Sequence, residues 1–208
     1  LIFIFIICFS LQINAREKGQ TEITTDEGIE VFKKEKYYLL KDNIKIISDN
    51  FELSADLVKA FFNEGLYDVE KIISNGNVEL TSSKGMKASG EKIDFNIKYE
   101  DIKIDGKKSL LITNEIEMRS DGTIKVNNLT GIFTLKGLNS SLKSADINIT
   151  GYLIDGKFTK IEKENEVEIL YVEDKEQINI KTETLNMYSL KAEYDKKNNI
   201  IELFEKVK

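Results

Sequence analysis

Ser54-Ala55-Asp56-Leu57-Val58, answered by Asn75-Gly76-Asn77-Val78-Glu79-Leu80, is the clearest copy of a phrase that recurs along this chain. An apolar-alternating run leads into an Asp/Asn/Gly turn, and a second alternating run closes on Asn-(Gly)-Asn-Val-x-Leu. Related copies begin at Thr25-Asp26, Ser144-Ala145-Asp146-Ile147 and Thr184-Leu185-Asn186. They end at Asp42-Asn43-Ile44-Lys45-Ile46, Asn165-Glu166-Val167-Glu168-Ile169 and Phe204-Glu205-Lys206-Val207. A repeated strand-turn-strand unit buries its apolar face only against its neighbours, so the repeat predicts a stacked β structure.

Outward from this phrase, alternation of apolar and polar residues dominates from about Ile29 to the end. Ile93-Asp94-Phe95-Asn96-Ile97, Ile102-Lys103-Ile104, Ile116-Glu117-Met118, Ile124-Lys125-Val126, Ile147-Asn148-Ile149 and Ile178-Asn179-Ile180 are examples. Each puts large or β-branched apolar groups on one face of a strand. Asn75-Gly76, Asp105-Gly106, Asp121-Gly122, Asp155-Gly156 and Lys197-Asn198-Asn199 supply residues that adopt positive φ cheaply, and read as hairpin turns. Alternating runs broken by such turn signals are the pattern of an all-β sandwich or roll of short hairpins. Gly85, Gly90, Gly131 and Gly137 form no phosphate loop and read as bulges or turns.

Ala55 to Phe62 is ambiguous. Leu57, Val58, Phe61 and Phe62 have helical spacing, but alignment with the other copies predicts a strand. Phe51, Leu53, Ala55, Leu57 and Phe61 would then share one face, with Asp56, Val58, Ala60 and Phe62 on the other.

Leu1 to Leu11 is almost wholly apolar, and Ile13-Asn14-Ala15 offers a small residue for signal-peptidase cleavage. Residues 1–15 read as a signal peptide lacking its charged start, 16–28 as a flexible lead-in, and 29–208 as one β-roll domain, truncated at its C-terminus or ending on an open edge. The alternative for the leader is an uncleaved anchor, which needs about 20 apolar residues. Cleavage would make the mature chain an exported protein. The only cysteine, Cys8, lies in the leader, so the mature chain would hold together without disulfides.

The 208 residues carry 30 basic and 36 acidic side chains, a net charge of -6 with the signs mixed along the chain. A nucleic-acid footprint would need a clustered basic face. The chain has no His, Trp or Pro. Without His, Ser82-Ser83 and Ser140-Ser141 lack the usual base, and the commonest metal ligand is missing. The expectation is neither an enzyme nor a cofactor protein. Asn128-Leu129-Thr130 and Asn148-Ile149-Thr150 match the glycosylation triplet by composition alone.

The apolar stripes remain. They form either an ordinary closed core or the lining of a groove for an apolar ligand, since both need the same alternation. The groove candidates, inward-facing by parity, are Ile44, Ile46, Leu53, Val78, Leu80, Ile93, Phe95, Ile102, Ile104, Ile147 and Ile149.

Ala55-Asp56-Leu57-Val58 leading to Gly76-Asn77-Val78-Glu79-Leu80 resembles the OstA-like (LptA) family of lipopolysaccharide-transport proteins. Ala145-Asp146-Ile147-Asn148 and Lys191-Ala192-Glu193-Tyr194 are looser echoes, and the resemblance covers about residues 25 to 208. Ala88-Ser89-Gly90-Glu91-Lys92 and Asn127 to Leu138 depart from the pattern. The resemblance implies an antiparallel β-jellyroll, twisted and open along one side. Its inner face would carry the acyl chains of lipopolysaccharide from inner to outer membrane, in a continuous groove that allows sliding. It implies no catalytic residues. The implied partners are LptC-like and LptD-like β-rolls and further copies of the chain, joined by edge-strand addition. Ile201, Leu203 and Val207 would sit at one such joint. A membrane-anchored LptC-like subunit of the same pathway and a structural or adhesive β-roll are the alternatives.

Overall fold

The computed structural model describes residues 20–65, 69–161 and 164–208. The apolar run Leu1 to Leu11, Cys8 and the expected cleavage region lie outside them. Among the described residues there are fourteen strands and no helix. They are β1 (Glu22–Thr24), β2 (Ile29–Phe32), β3 (Tyr37–Ile47), β4 (Phe51–Phe62), β5 (Val69–Ser82), β6 (Lys87–Asn96) and β7 (Asp101–Asp105). There follow β8 (Ser109–Ile112), β9 (Glu117–Asn127), β10 (Ile132–Lys143), β11 (Ile147–Ile161), β12 (Glu164–Thr182), β13 (Asn186–Asp195) and β14 (Ile200–Phe204). They form one antiparallel sheet in the order β1-β3-β4-β5-β6-β7-β9-β10-β11-β12-β13-β14. β2 pairs with β3, and β8 pairs with β6 and β9. β1 falls inside the stretch read as a lead-in and sets Ile23 opposite Ile46.

The all-β antiparallel roll agrees with the alternation, but the turns do not fall where Asx-Gly pairs predicted them. Asn75-Gly76, Asp121-Gly122 and Asp155-Gly156 lie inside β5, β9 and β11. Asp105-Gly106 marks the step from β7 to β8, and Lys197-Asn198-Asn199 alone of the five links a hairpin, β13 to β14. The positive φ is spent on bending strands. Asp42, Asn43, Gly76, Asn77, Gly106, Gly137 and Asn139 all have positive φ. Pairing slips beside most of them, between Lys41 and Ile44, Asn75 and Val78, and Leu138 and Ser141. Further slips at Ser54/Leu57, Thr150/Leu153 and Glu173/Ile178 continue the same line across the sheet. A bulge bends its strand and sharpens the twist, so a line of bulges folds the sheet into two leaves.

Leaf A holds the halves of the strands that include Tyr38, Ala60, Ile72, Phe95, Val126, Phe133 and Leu170. Leaf B holds the halves that include Ile46, Leu53, Leu80, Met118, Leu142 and Ile149. The bend also settles Ala55 to Phe62: this is strand, but neither predicted face runs its length. Burial passes from Leu53 and Ala55 to Val58, Ala60 and Phe62 across the slip.

Hydroxyl side chains make the turns of leaf B. The Ser48, Ser82, Thr113 and Thr182 hydroxyls accept backbone N–H groups from Phe51, Met86, Ile116 and Leu185, each at 3.1 Å. Such hydroxyls close a tight turn by mimicking a backbone acceptor. Ser144-Ala145-Asp146-Ile147 belongs to this group, with the Ser144 N–H donating to the Ile147 carbonyl at 2.9 Å. It is therefore a turn and no counterpart of Ser54-Ala55-Asp56, which sits at the bend. Thr184-Leu185-Asn186 likewise follows a turn.

At the bend, the repeated Asp and Asn meet. Asn43 donates to Asp26 at 2.6 Å, Asn77 to Asp56 at 2.9 Å and Asn139 to Asp121 at 2.6 Å. The third pair flanks Asn127 to Leu138, the stretch that departs from the phrase, and belongs to none of its copies. Asn77→Ala removes the hydrogen bond and leaves a β-carbon in left-handed backbone, so a loss of about 1–2 kcal/mol is expected in urea unfolding. Asn77→Gly, free of the conformational cost, should lose less.

Asp121 accepts from the Asn139 side chain and from the Lys108 backbone N–H, and these bonds hold its carboxyl below its ordinary value of 3.8. A depressed carboxylate contributes stability above its unfolded pKa and loses it as pH falls through the folded one. Asp121→Asn should therefore flatten the loss of stability below about pH 4, read from unfolding midpoints across an acid series.

The buried face is organised in rows across the strands. In leaf A, Tyr38, Ala60, Ile72, Phe95, Ile102, Val126, Phe133, Gly156, Leu170, Tyr194 and Ile201 lie opposite one another in turn. Nearer the bend run Leu40, Val58, Ser74, Ile93, Ile104, Ile124, Leu135, Ile154, Val172, Ala192 and Leu203. Leaf B carries Ile46, Leu53, Leu80, Ala88, Leu111, Met118, Leu142, Ile149, Ile180 and Met187.

Ser74 interrupts the second row between Val58 and Ile93. Its buried hydroxyl has no partner among the described residues. Ser140, equally buried, donates to the Gly137 carbonyl at 2.8 Å and shares a hydrogen bond with Ser120 at 2.9 Å. Ser74→Ala should be neutral or stabilising, whereas Ser140→Ala should cost about 1–3 kcal/mol, because it orphans buried partners. Equal losses in the two variants would contradict this assignment.

Candidate functional site

Between the leaves of the β1–β9 half lies a cleft of about 1630 Å³. Its walls come from the two outer rows: Tyr38, Ala60, Ile72, Phe95 and Val126 on leaf A, and Ile46, Leu80, Leu111 and Met118 on leaf B. Leu40, Phe51, Val69, Met86, Ile97, Ile116 and Phe158 add to the apolar lining, with Ile23 and Ile29 at its β1/β2 end. Its mouth lies between the two rows of turns, opposite the bend. Ser48, Asn50, Ser83, Lys84 and Glu115 rim it on leaf B, and Glu100, Asn128, Leu129 and Thr130 on leaf A. Seven of the eleven half-buried apolar residues packed on the core line this cleft: Tyr38, Phe51, Val69, Met86, Phe95, Ile97 and Phe158. They are half-buried because they border open space instead of an opposing side chain.

Of the predicted groove residues, Ile46, Leu80 and Phe95 line the cleft. Ile44, Leu53, Val78, Ile93, Ile102 and Ile104 are buried in the same core cluster, beside or behind the lining. Ile147 and Ile149 are buried in the β10–β14 half, away from it. Parity along one strand picks out the buried face but not which rows meet and which stand apart. Tyr38, Ala60, Ile72, Ile97, Leu111, Met118, Val126 and Phe158 were missed for that reason. The signal that finds them is the strand register, which requires the bends to be placed first.

The other half of the roll is filled. Leu135, Leu142, Ile149, Ile154, Leu170, Val172, Ile178 and Ile180 are at most 1% exposed. The Phe133 and Phe158 rings stack at the boundary, with centroids 4.3 Å apart and planes inclined by 22°. Gly156 is required here, since a β-carbon would come within 2.4 Å of the Phe133 ring.

At the chain-terminal edge β14 has β13 as its neighbour. Ile201 and Leu203 are half-buried against the core, opposite Tyr194 and Ala192, while Val207 is 55% exposed. The Lys208 and Tyr188 backbones exchange hydrogen bonds at 3.0 and 3.2 Å, so this edge also crosses the bend. At the opposite edge β1 and β2 together span β3, broken at Asp26-Glu27-Gly28.

The arrangement defines a class: an antiparallel β-roll folded along a line of bulges, with an apolar cleft between its leaves. Thirteen solved chains are similar to it. One is LptH, described as the LptA homologous periplasmic component of the conserved lipopolysaccharide transport device from Pseudomonas aeruginosa. It is 12% identical, with a TM-score of 0.45, over 52% of this chain and 76% of that one. No protein-family profile matches the sequence, and no curated protein matches it.

Proposed function

We propose that this chain is a periplasmic lipopolysaccharide-binding bridge protein, which shields lipid acyl chains in its cleft between the inner and outer membranes. The observation that carries the reading is the cleft itself, apolar-walled, polar-rimmed and open along one side. Its volume exceeds the roughly 300–1,000 Å³ of an ordinary small-molecule pocket. Exposing an acyl chain to water costs about 0.8 kcal/mol per methylene, so a lipid with several chains needs such a shelter to leave a bilayer. Hydrophobic contact is non-directional, and a wall of Ile, Leu, Met, Val and aromatic side chains suits chains of no fixed conformation. The Ala55-Asp56 and Gly76-Asn77-Val78 phrases support the same reading through their resemblance to the OstA-like family. The terminal strands β1/β2 and β14 would join LptC-like and LptD-like rolls, or further copies of the chain, by strand addition. Ile201, Leu203 and Val207 are the residues proposed for one joint.

The test is photo-crosslinking of lipopolysaccharide to probes at Phe95 and Met118, with Lys103 as control. Lys103 points away from the cleft and pairs with Asp105 at 2.6 Å. Labelling at the first two sites and none at Lys103 is the expected result. Equal labelling at all three, or none in a folded protein, would refute the reading.

A further inference from the structure

We infer that the cleft is blind: the lipid path occupies the β1–β9 half of the roll and stops at Phe158, and the β10–β14 half carries no acyl chain. The inference rests on the proposed reading of the cleft as a lipid site. On leaf B the lining ends at Met118 of β9, and the next residue of that row, Leu142, is fully buried. On leaf A the lining ends on β11, at Lys157, Phe158 and Thr159, of which Phe158 is the apolar one. Behind it stands Phe133, 1% exposed, held by its stack on Phe158 and by the space left at Gly156. Beyond these rings the inward side chains of both leaves, Leu135, Ile154 and Leu170 on one and Leu142, Ile149 and Ile180 on the other, are at most 1% exposed.

The consequence concerns direction. A lipid cannot run the length of the roll inside one copy while the Phe133–Phe158 stack is closed. It enters and leaves through the mouth between the turns, or at the β1/β2 end, where Ile23 and Ile29 are exposed and line the cleft. Transfer to a next carrier is then sideways through the mouth or backwards through that end.

Leucines on both sides of the boundary allow a test without mutation. The full chain would be produced with photo-leucine in place of leucine, incubated with lipopolysaccharide, irradiated and mapped by mass spectrometry. Photo-leucine is close to leucine in shape, so the core tolerates it. Label is expected at Leu40, Leu80 and Leu111, with at least tenfold less at Leu135, Leu142 and Leu170. Comparable label on the second group would overturn the blind cleft while leaving the lipid reading intact. No label on either group, in protein with unchanged circular dichroism, would overturn the lipid reading and this inference with it.

Discussion

Phe133→Ala should destabilise the roll by about 3–5 kcal/mol, the range for deleting a buried aromatic ring. Phe133 is 1% exposed, and it lies in the leaf A row between Val126 and Gly156. The gap cannot be refilled locally. Gly156 has no side chain to move into it, and Phe158 is held by the backbone hydrogen bond from its N–H to the Gly131 carbonyl at 2.9 Å. Stacked rings add about 0.5–1.5 kcal/mol beyond the area they bury, and that share goes as well. Phe158→Ala should cost less, because its ring already borders open space. Equilibrium unfolding in urea checks both. A loss below about 1 kcal/mol for Phe133→Ala would mean that the ring is not the wedge it is taken to be.

Phe95→Glu should weaken lipopolysaccharide capture by about a hundredfold, or about 2.8 kcal/mol, and leave the fold largely intact. The separation of the two effects follows from position. Phe95 is half-buried beside Ile72 and Ile102 and faces the cleft. In the free protein water entering through the mouth solvates a carboxylate there. An acyl chain in the cleft strips that water away, and an unpaired buried charge is costly. Phe95→Leu should retain capture, and Asp94→Asn, on the outer face where Asp94 pairs with Lys71 at 2.9 Å, should not change it. Capture is read by co-purification or by displacement of a fluorescent lipid. Native affinity in a folded Phe95→Glu protein would remove this wall from the site.

Much of the architecture was legible in the amino-acid sequence, because alternation depends only on the two-residue period of a strand. Ile44, Leu53, Ile93, Ile104 and Ile149 are all buried as their parity requires. The repeat was legible in its first two copies, whose Asp26–Asn43 and Asp56–Asn77 pairs are hydrogen-bonded at the bend, but not in those begun at Ser144 and Thr184, which belong to turns. What misled was the double use of one chemistry. Asx and Gly adopt positive φ equally well in a hairpin turn and in a mid-strand bulge, and here Gly76 and Asn77 serve the second purpose. The true turns of leaf B were written in Ser and Thr, at Ser48, Ser82, Thr113, Ser144 and Thr182. Once bends were taken for turns, inward parity could not follow β4 or β10 across the bulge. The row that walls the cleft stayed hidden with it. The boundary at Phe158 has no sequence signature of its own, because it arises from a ring on β10 meeting a ring on β11 over the Gly156 of the same strand.

The order of the strands has a kinetic meaning. Apart from the β8 detour and the shared pairing of β1 and β2 on β3, each strand pairs only with its neighbours in the chain. No step of folding has to bring remote segments together, unlike a Greek-key sandwich, where loop closure slows assembly. The roll can grow by accretion, each new strand finding its template already in place, and its cooperativity is that of a row of coupled units. Hydrogen exchange should therefore grade along the sheet, fastest in the terminal strands and slowest around β9–β12. The two edges at which further rolls would attach are then also the places where the chain yields first.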